Sequence, residues 1–399
     1  MELLAPAGNL NKLKYAVYYG ADAVYAAGNN FGLRAKTTNF TDIHLKEAVD
    51  FCHKNGRKIY ITVNVFAHNS DIEQLPKYLT FLQKIGVDAL IISDPGIFSL
   101  SKEYAPDVDI HISTQANVTS WSAADFWYKL GAKRIILARE LGIKEITEIK
   151  RKVPKIELEM FVHGAMCMSY SGRCLISAFL NNRSANQGLC TQPCRWEYNL
   201  VERSRPGEFF KIEEDERGSY FFNSKDLNLI KRIPQISKAG IDSIKIEGRM
   251  KSLYYVATVT RAYRTAIKAY KNVVSSDIME ELNKVSHRYY SEAFFDKFDS
   301  SKTQYYGSSA YIRDYQFVGE IEKIEGTSVY IKVKAKFSTG DEIEFIFPDR
   351  TEDFKLTVKK IYDEENNQIQ YTKPNTITRL NLDKKIPKWG IVRKKNIEE

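Results

Sequence analysis

Residues 58–94, KIYITVNVFAHNSDIEQLPKYLTFLQKIGVDALIISD, decide the fold of this chain. The segment begins and ends with short apolar runs, KIYITVN (58–64) and ALIISD (89–94), whose composition is typical of strands buried on both faces. Between them, QLPKYLTFLQKIG has the apolar spacing of an amphipathic helix and ends at Gly86, a residue type that commonly terminates helices. This order predicts two parallel strands joined by a crossover helix.

The same unit recurs along the first 250 residues. Eight apolar runs follow one another, most of them separated by helical patterns: ELLAPA (2–7), AVYAAG (23–28), KIYITVN (58–64), ALIISD (89–94), DIHISTQ (109–115), RIILAR (134–139), IELEMFVHG (156–164) and SIKIEGR (243–249). An open doubly wound sheet would give the same local signals. The count of eight favours an α/β fold with a closed parallel (β/α)8 barrel of the TIM type over residues 1–275.

Three segments depart from the regular alternation. An insertion at about 165–240 follows the seventh strand, and within it RWEYNLVER and GEFFKIEEDERGSYFFN predict a pair of extended strands. A polar, mostly helical linker is expected at 276–309. Residues 310–399 alternate polar and apolar residues at period two and predict a small antiparallel β-barrel module. Such a module either contacts nucleic acid or another protein, or simply packs against the barrel.

Four of the five cysteines lie close together in the insertion, in the pattern C-x6-C-x15-C-x3-C: Cys167, Cys174, Cys190 and Cys194. Thiolates are soft ligands, so the candidates are an iron–sulfur cluster, zinc or, less readily, two disulfides. Zinc ribbons pair their cysteines as C-x2–4-C, which only the second pair approaches. A dyad of Cys167 with His163 is a further alternative. Cys52 falls in a helical pattern and is expected in the core.

The N-terminal sequence and the overall charge restrict the class of protein. MELLAPAGNLNKLKY has no signal-peptide pattern, and no run approaches the roughly 18 apolar residues of a membrane span. We therefore expect a cytoplasmic protein with no membrane partner, in a compartment where disulfides are rare. A formal net charge of +9 favours a polyanionic partner such as nucleic acid. An ordinary solvated surface rich in lysine would give the same balance.

Polar residues gather at the carboxyl ends of the predicted strands, where barrel enzymes have their active sites. Three alternate along the fifth strand, three alternate along the eighth, and five end other strands: His111, Ser113, Gln115; Lys245, Glu247, Arg249; Asn64, Asp94, Arg139, Glu140 and His163. Residues that alternate along a strand share one face, so we predict an anion-binding pocket at one mouth of the barrel. An ion pair of Glu247 with an arginine, which only ties strands together, is the alternative.

We assign roles within this ring by side-chain chemistry. Catalytic roles are predicted for three residues: His111, Gln115 and Glu247. Substrate binding is predicted for three cations and a histidine: Arg139, Lys245, Arg249 and His163. The chain contains no HExxH, GxSxG or P-loop motif, so no familiar protease or nucleotide-hydrolase constellation is visible.

The helix predicted after the eighth strand carries a row of cations at helical spacing: Arg261, Arg264, Lys268 and Lys271. Cations in such a row can contact RNA phosphates, so the row is a candidate RNA-binding stripe. An ordinary solvated helix face is the alternative.

The segment EMFVHGAMCMSYSGRCLIS (159–177) closely resembles the signature of peptidase family U32, the collagenase-like peptidases of unknown catalytic type. The resemblance extends to four further segments and covers essentially the whole chain, including the C-terminal module: LLAPAG (3–8), HISTQANV (111–118), FNSKDLNLI (222–230) and SIKIEGRMKSLYYVA (243–257). Motifs of this length and order are specific to the family.

This resemblance implies a function that differs from the family name. The better-understood branches look like RNA-modifying or ubiquinone-hydroxylating proteins that hold a 4Fe–4S cluster on four cysteines. KIEGRMKS (245–252), NSKDL (223–227) and the C-terminal module make the chain most similar to the tRNA hydroxylation branch. That branch makes 5-hydroxyuridine at the wobble position of tRNA and requires prephenate, a dicarboxylate that would suit the predicted cationic pocket.

The resemblance also assigns the cluster ligands to the four clustered cysteines: Cys167, Cys174, Cys190 and Cys194. The last is the least secure, because some branches place their fourth ligand further downstream, where this chain has no cysteine. Three alternatives remain at this point: a genuine peptidase, a non-catalytic partner of a modification enzyme, and a subunit that works with a second family member.

Overall fold

A computed structural model describes residues 1–29, 31–32, 39–167, 169–170, 173–187, 189–195, 214–215, 218–219, 224–269, 276–296 and 310–396 of the chain. Eight parallel strands form a closed barrel, which confirms the predicted fold class. The barrel strands are β1 (Glu2–Pro6), β2 (Ala23–Ala26), β3 (Lys58–Val63), β4 (Ala89–Ile92), β5 (Asp109–Ile112), β6 (Arg134–Ile136), β7 (Glu157–Gly164) and β11 (Ser243–Ile246). Three short strands lie between β7 and β11 in the sequence: β8 (Glu214–Asp215), β9 (Gly218–Ser219) and β10 (Asp226–Asn228).

The barrel closes at β11, which pairs in parallel with both β1 and β7. Ser243 lies opposite Glu2 on one side and Glu159 on the other. Because strands in such a barrel are covered by helices outside and by side chains inside, their apolar residues are fully buried, as in the runs that contain Leu3 and Ile61.

Helices cover the outside of the barrel and continue into the segments that follow it: α1 (Leu10–Tyr18), α2 (Asp42–Lys54), α3 (Asn69–Ile72), α4 (Leu75–Ile85), α5 (Pro95–Tyr104), α6 (Trp121–Lys129), α7 (Ile143–Lys152), α8 (Ile176–Asn181), α9 (Ile233–Lys238), α10 (Leu253–Lys268) and α11 (Ser276–Asn283). Side-chain caps set their starts, as where the Asp94 carboxylate accepts hydrogen bonds from the first turn of α5. Gly86, at φ +80°, ends α4 as the sequence predicts. No described helix is long and apolar enough to cross a bilayer.

The insertion after β7 begins where the sequence places it. It contains α8, the short β8–β9 pair, and β10, which runs antiparallel to β7 and places Leu227 opposite Gly164. Most of the two extended segments predicted at 195–223 lie outside the described residues. The segment predicted as a helical linker contains α11 and a short strand, β12 (Tyr290–Ser291), which pairs with β10; residues 297–309 are not described.

The C-terminal residues form a single antiparallel sheet, as the period-two alternation predicts. Its strands are β13 (Tyr315–Glu325), β14 (Ser328–Val333), β15 (Glu342–Ile346), β16 (Phe354–Thr357), β17 (Ile361–Tyr362), β18 (Gln368–Ile369), β19 (Ile377–Asn381) and β20 (Ile391–Lys395). The order in the sheet is β16-β15-β20-β13-β14-β19-β17-β18. The curled sheet has its own apolar core, in which Val329, Phe337 and Phe345 are fully buried.

This module packs on the outside of the barrel through polar and aromatic contacts. The Tyr19 hydroxyl on α1 donates to the carbonyl oxygens of Ile346 (2.9 Å) and Trp389 (3.0 Å). Arg393 on β20 donates to both carboxylate oxygens of Glu281 on α11, at 2.7 and 3.1 Å. The module therefore covers α1, α10 and α11 and leaves the mouth of the barrel open.

Candidate functional site

A cavity of about 830 Å³ lies at the carboxyl ends of the barrel strands. Its walls come from the strand ends, from the cysteine-bearing segment after β7, and from residues 311 and 313 before the C-terminal sheet. Among the described residues the lining includes six cations and one carboxylate: Arg139, Arg183, Lys245, Arg249, Lys251, Arg313 and Glu247. An excess of positive charge in a concave site favours an anionic ligand.

Lys245 and Arg249 form the deep cationic wall, with exposed fractions of 3% and 7%. The Lys245 ammonium donates to Oε1 of Glu159 at 3.0 Å and lies 4.3 Å from the centre of the Tyr25 ring. Arg249 donates to the Thr62 hydroxyl at 3.2 Å. The predicted trio on the eighth strand does face one space, because Glu247 also lines the cavity.

Lys245 belongs to a network of alternating acidic and basic side chains inside the barrel. Glu159 is fully buried and accepts hydrogen bonds from both Lys245 and Arg134, each at 3.0 Å. Arg134 also pairs with Glu2 at 2.6 Å and Glu157 at 2.8 Å. Burial lowers the pKa of Lys245, and the neighbouring Glu159 carboxylate opposes that effect. The barrel interior thus holds a cation at the cavity floor without leaving it unpaired.

Arg139, beyond the end of β6, forms a second cationic wall, and it shares the Phe161 ring with Lys245. Its guanidinium donates to the Ala165 carbonyl at 2.9 Å and lies 5.4 Å from the Phe161 ring centre. Burial disfavours the charge, but Cys167 and Glu140 favour it, and on balance the pKa of Arg139 is raised. Its buried Nε has no hydrogen-bond partner. Since a buried donor is costly to leave unsatisfied, this atom is available to an acceptor on a ligand.

Amide groups line the cavity between the two cationic walls. The Asn64 amide donates to Gln115 Oε1 at 3.2 Å and to Ser113 Oγ at 3.4 Å. Arg173, from the cysteine-bearing segment, donates to the Gln115 carbonyl at 3.0 Å. Gln115 is thereby oriented from both the barrel and the insertion.

The two predicted histidines do not line the cavity. His111 is buried edge-on against Tyr60, with ring centres 4.7 Å apart. Burial and the nearby Arg134 and Lys245 hold its pKa well below the usual value. It is therefore a neutral core side chain beneath the site, and the structure gives no support to its predicted catalytic role.

His163 lies on the far side of β7 from the strand-end pocket. It packs among tyrosines, including Tyr263 and Tyr290, at ring-centre distances of 5.5 and 5.4 Å. Burial, with Lys251 and His287 nearby, lowers its pKa to about 3. His163 is enclosed among these rings and does not line the cavity, so the structure gives no support to its predicted substrate-binding role or to the alternative dyad with Cys167.

The four clustered cysteines all line the cavity: Cys167, Cys174, Cys190 and Cys194. All are present as thiols; Cys167 and Cys190 are exposed and the other two are half-buried. In the described part of the chain, no three His, Cys, Asp or Glu side chains lie close enough together to hold a metal ion. The donor chemistry and the shared cavity fit a soft metal centre, and binding one would draw the thiols together.

Two cations of the predicted RNA-binding stripe on α10, Arg261 and Arg264, are held in ion pairs within the protein. Arg261 is 3% exposed and donates to Asp353 in the C-terminal module at 2.8 Å and to Glu281 at 3.1 Å. Arg264 pairs with Asp22 of the barrel. Lys268 is exposed, and Lys271 lies outside the described residues. The predicted role is therefore corrected for Arg261 and Arg264, whose guanidinium groups are already paired, and it stays a prediction for Lys268 and Lys271.

Three of the six cations that line the cavity were not predicted from the sequence: Arg183, Lys251 and Arg313. Lys251 lies two residues beyond Arg249, so continuing the alternation past the eighth strand would have found it. Arg183 and Arg313 come from the insertion and the segment before β13, and no local pattern connects them with the barrel mouth.

Comparison with known proteins gives the family. The sequence profile described as "Peptidase family U32" matches residues 8–305, and the profile described as "Peptidase family U32 C-terminal domain" matches residues 313–393. The chain is 42% identical to "tRNA hydroxylation protein P1" of Bacillus subtilis, covering 98% of this chain and 94% of that protein. It is 39% identical to "tRNA hydroxylation protein P" of Escherichia coli, covering 89% and 88%. It is also 35% identical to "Collagenase" of Porphyromonas gingivalis, covering 68% and 66%. This chain belongs to peptidase family U32.

Proposed function

We propose that this chain hydroxylates tRNA, converting the wobble uridine to 5-hydroxyuridine, with prephenate as a required metabolite. Two relatives that resemble it along most of its length are named for tRNA hydroxylation. The observation that carries the proposal is the combination of four thiols and six cations in one described cavity at the barrel mouth. A tRNA substrate also implies a cytoplasmic protein.

The cationic walls suit a dicarboxylate. Lys245 and Arg249 lie at the deep end of the cavity, and Arg139 also lines it, with a buried Nε that has no hydrogen-bond partner. Each guanidinium can hold a carboxylate through paired hydrogen bonds, which fixes both position and orientation. Prephenate, with its two carboxylates, would bridge the two walls.

The four clustered cysteines would hold a 4Fe–4S cluster, with zinc as the alternative metal: Cys167, Cys174, Cys190 and Cys194. A cluster there would supply one-electron transfer beside the bound substrate. Arg139, which lies beside Cys167, would offset the negative charge of the thiolates. Asn64 and Gln115 would orient the uracil edge through their amides. Glu247, the one carboxylate among the described cavity residues, would be the proton acceptor of the site.

Peptidase activity is the second candidate, because the family name and one relative carry that description. A peptidase needs an activated nucleophile or a metal-bound water. Among the described residues that line the cavity there is no histidine, and Glu247 is the one carboxylate, so the known site chemistry favours the first candidate.

Metal content and tRNA modification test the proposal together. We expect anaerobically purified protein to contain about four iron and four sulfide per chain, as a cubane on four thiolates requires. Cys174→Ala should lower the iron content and abolish 5-hydroxyuridine in tRNA from a complemented deletion strain, measured by nucleoside mass spectrometry. Cys52→Ala is the matched control, because Cys52 is buried in α2 and away from the cavity. Normal modification by Cys174→Ala, or gelatin cleavage that Glu247→Gln abolishes while tRNA stays modified, would overturn the proposal.

A further inference from the structure

We propose that the outer rim of the cavity, formed by Lys251 and Arg313, binds the sugar–phosphate backbone of an RNA loop whose base enters the cavity. The inference rests on the proposed function and deepens it by naming the surface that RNA contacts. It also gives RNA a contact surface other than Arg261 and Arg264 of α10, which are paired within the protein.

The segment that carries Arg313 is held rigidly over the mouth. Ile312 exchanges two backbone hydrogen bonds with His287, at 2.8 and 3.3 Å, and the Asn396 side chain donates to the Arg313 carbonyl. Tyr311 and Arg313 flank Ile312 in an extended segment, so their side chains share one side, and both line the cavity. Arg313 itself is exposed.

Lys251 reaches the same rim from the other direction. Its ammonium lies 4.3 Å from the ring centre of Tyr311 and 5.2 Å from that of Tyr255. These cation–π contacts hold the charge in place without neutralising it. Tyr311 therefore joins the two cations into one surface, which lies outside the buried pair Lys245 and Arg249.

The depth and size of the cavity favour separate roles for the deep cations and the rim cations. Its volume of about 830 Å³ is large for a small acid alone, since ligand pockets span roughly 300–1,000 Å³. Enzymes that act on a base take it out of its stack, and an unstacked base enters a pocket while its phosphates stay outside. The deep cations, Lys245 and Arg249, then bind the small anion, and the rim cations, Lys251 and Arg313, bind the RNA phosphates.

Binding measurements with charge-removing variants test the rim. The probe is a labelled anticodon stem–loop RNA, titrated with the full-length protein at several salt concentrations. Lys251→Gln and Arg313→Gln should each weaken binding several-fold and reduce the slope of log K against log salt by about 0.7–1, and the double variant should reduce it by about twice as much. Lys54→Gln and Arg151→Gln are the matched controls, because both exposed residues lie in last helical turns at the opposite end of the barrel.

The possible outcomes distinguish a failure of this inference from a failure of the proposed function on which it rests. If the unmodified protein does not bind the RNA, both the proposed function and the rim fail. If it binds and the two Gln variants keep its salt slope, the rim is wrong while the proposed function stands. Lys251→Arg and Arg313→Lys keep the charge and should bind like the unmodified protein. An equal loss in those variants would show a structural effect and would also overturn the inference.

Discussion

Glu159 is the residue whose replacement tests the charge network most sharply. Glu159→Gln keeps the shape of the side chain and removes the charge that pairs with Lys245 and Arg134. Arg134 would still pair with Glu2 and Glu157. Lys245, at 3% exposure, would lose its carboxylate partner. Removing one partner of a buried ion pair costs about 3–5 kcal/mol, so we expect a loss of that size in the free energy of unfolding.

The reverse substitution should cost less, and this asymmetry is the specific prediction. Lys245→Met removes the cation and keeps an apolar stem of similar length, while Glu159 retains its 3.0 Å bond to Arg134. We expect a loss of about 1–2 kcal/mol, the scale of a lost hydrogen bond that leaves no unpaired charge. In the double variant the unpaired ammonium is gone, so adding Lys245→Met to Glu159→Gln should restore about 1–2 kcal/mol.

Urea unfolding followed by circular dichroism at pH 7.5 measures the three variants against the unmodified protein. The comparison uses the urea concentration at the unfolding midpoint. A change in this midpoint reports a change in stability when the slope of the unfolding free energy against urea concentration is the same in all variants. Equal losses for the two single variants would contradict the network, because they would mean that Glu159 does not serve two cations. So would strict additivity in the double variant, because contacting partners must couple.

Three further predictions concern the pH dependence, the barrel mouth and the module interface. The pKa of His163 is about 3 when folded and near 6.5 when unfolded, so the unfolded chain binds the proton first. His163 should therefore contribute a fall of about 1.4 kcal/mol in unfolding free energy per pH unit below pH 6.5. Buried His111 adds a contribution of the same sign, so His163→Asn should reduce the slope by its own share and leave the rest, in urea titrations between pH 7.5 and 5. Gly164→Ala should cost at least about 1–3 kcal/mol in thermal or urea unfolding, because Gly164 has φ +107° and a Cβ there would lie 2.6 Å from the Glu247 carbonyl oxygen. Arg261→Met should cost about 3–5 kcal/mol, whereas Lys268→Met on the same helix should change stability by less than about 0.5 kcal/mol, and equal effects would contradict the burial of Arg261.

The barrel could be predicted because each of its strands has a recognisable apolar sequence. Runs such as KIYITVN are apolar on both faces, and only a covered parallel strand needs that composition. The mouth residues followed from the same period, which brought Gln115, Lys245, Glu247 and Arg249 to one cavity. Sequence alternation was sufficient to predict a residue's location where that location depends only on the strand that carries the residue.

The failures share one physical cause, which is that helical or strand spacing identifies a face but not what covers it. Arg261 sits on a helix face that looks solvated in sequence and is buried by a sheet from more than eighty residues downstream. Alternation along β7 predicts that His163 shares a face with Phe161, but the strand register shifts between these two residues and the imidazole packs against Tyr263 on α10. Lys251 contacts Tyr311, two residues before Arg313, in a segment that is held by the pairing of Ile312 with His287, and no period encodes that pairing.

The segment that identified the family joins two separate physical roles on one strand. Glu159 points into the barrel, where it holds Lys245 beneath the cavity, and Cys167 follows the end of the same strand as the first of the four thiols. Between them Gly164 adopts φ +107°, which lets the chain turn out of the sheet directly beside Glu247. β7 therefore connects Glu159, which binds Lys245, directly to the segment that carries the first thiol. If the buried cations hold an anionic ligand as proposed, this strand would set its distance from the cysteines, which a loop alone would not provide.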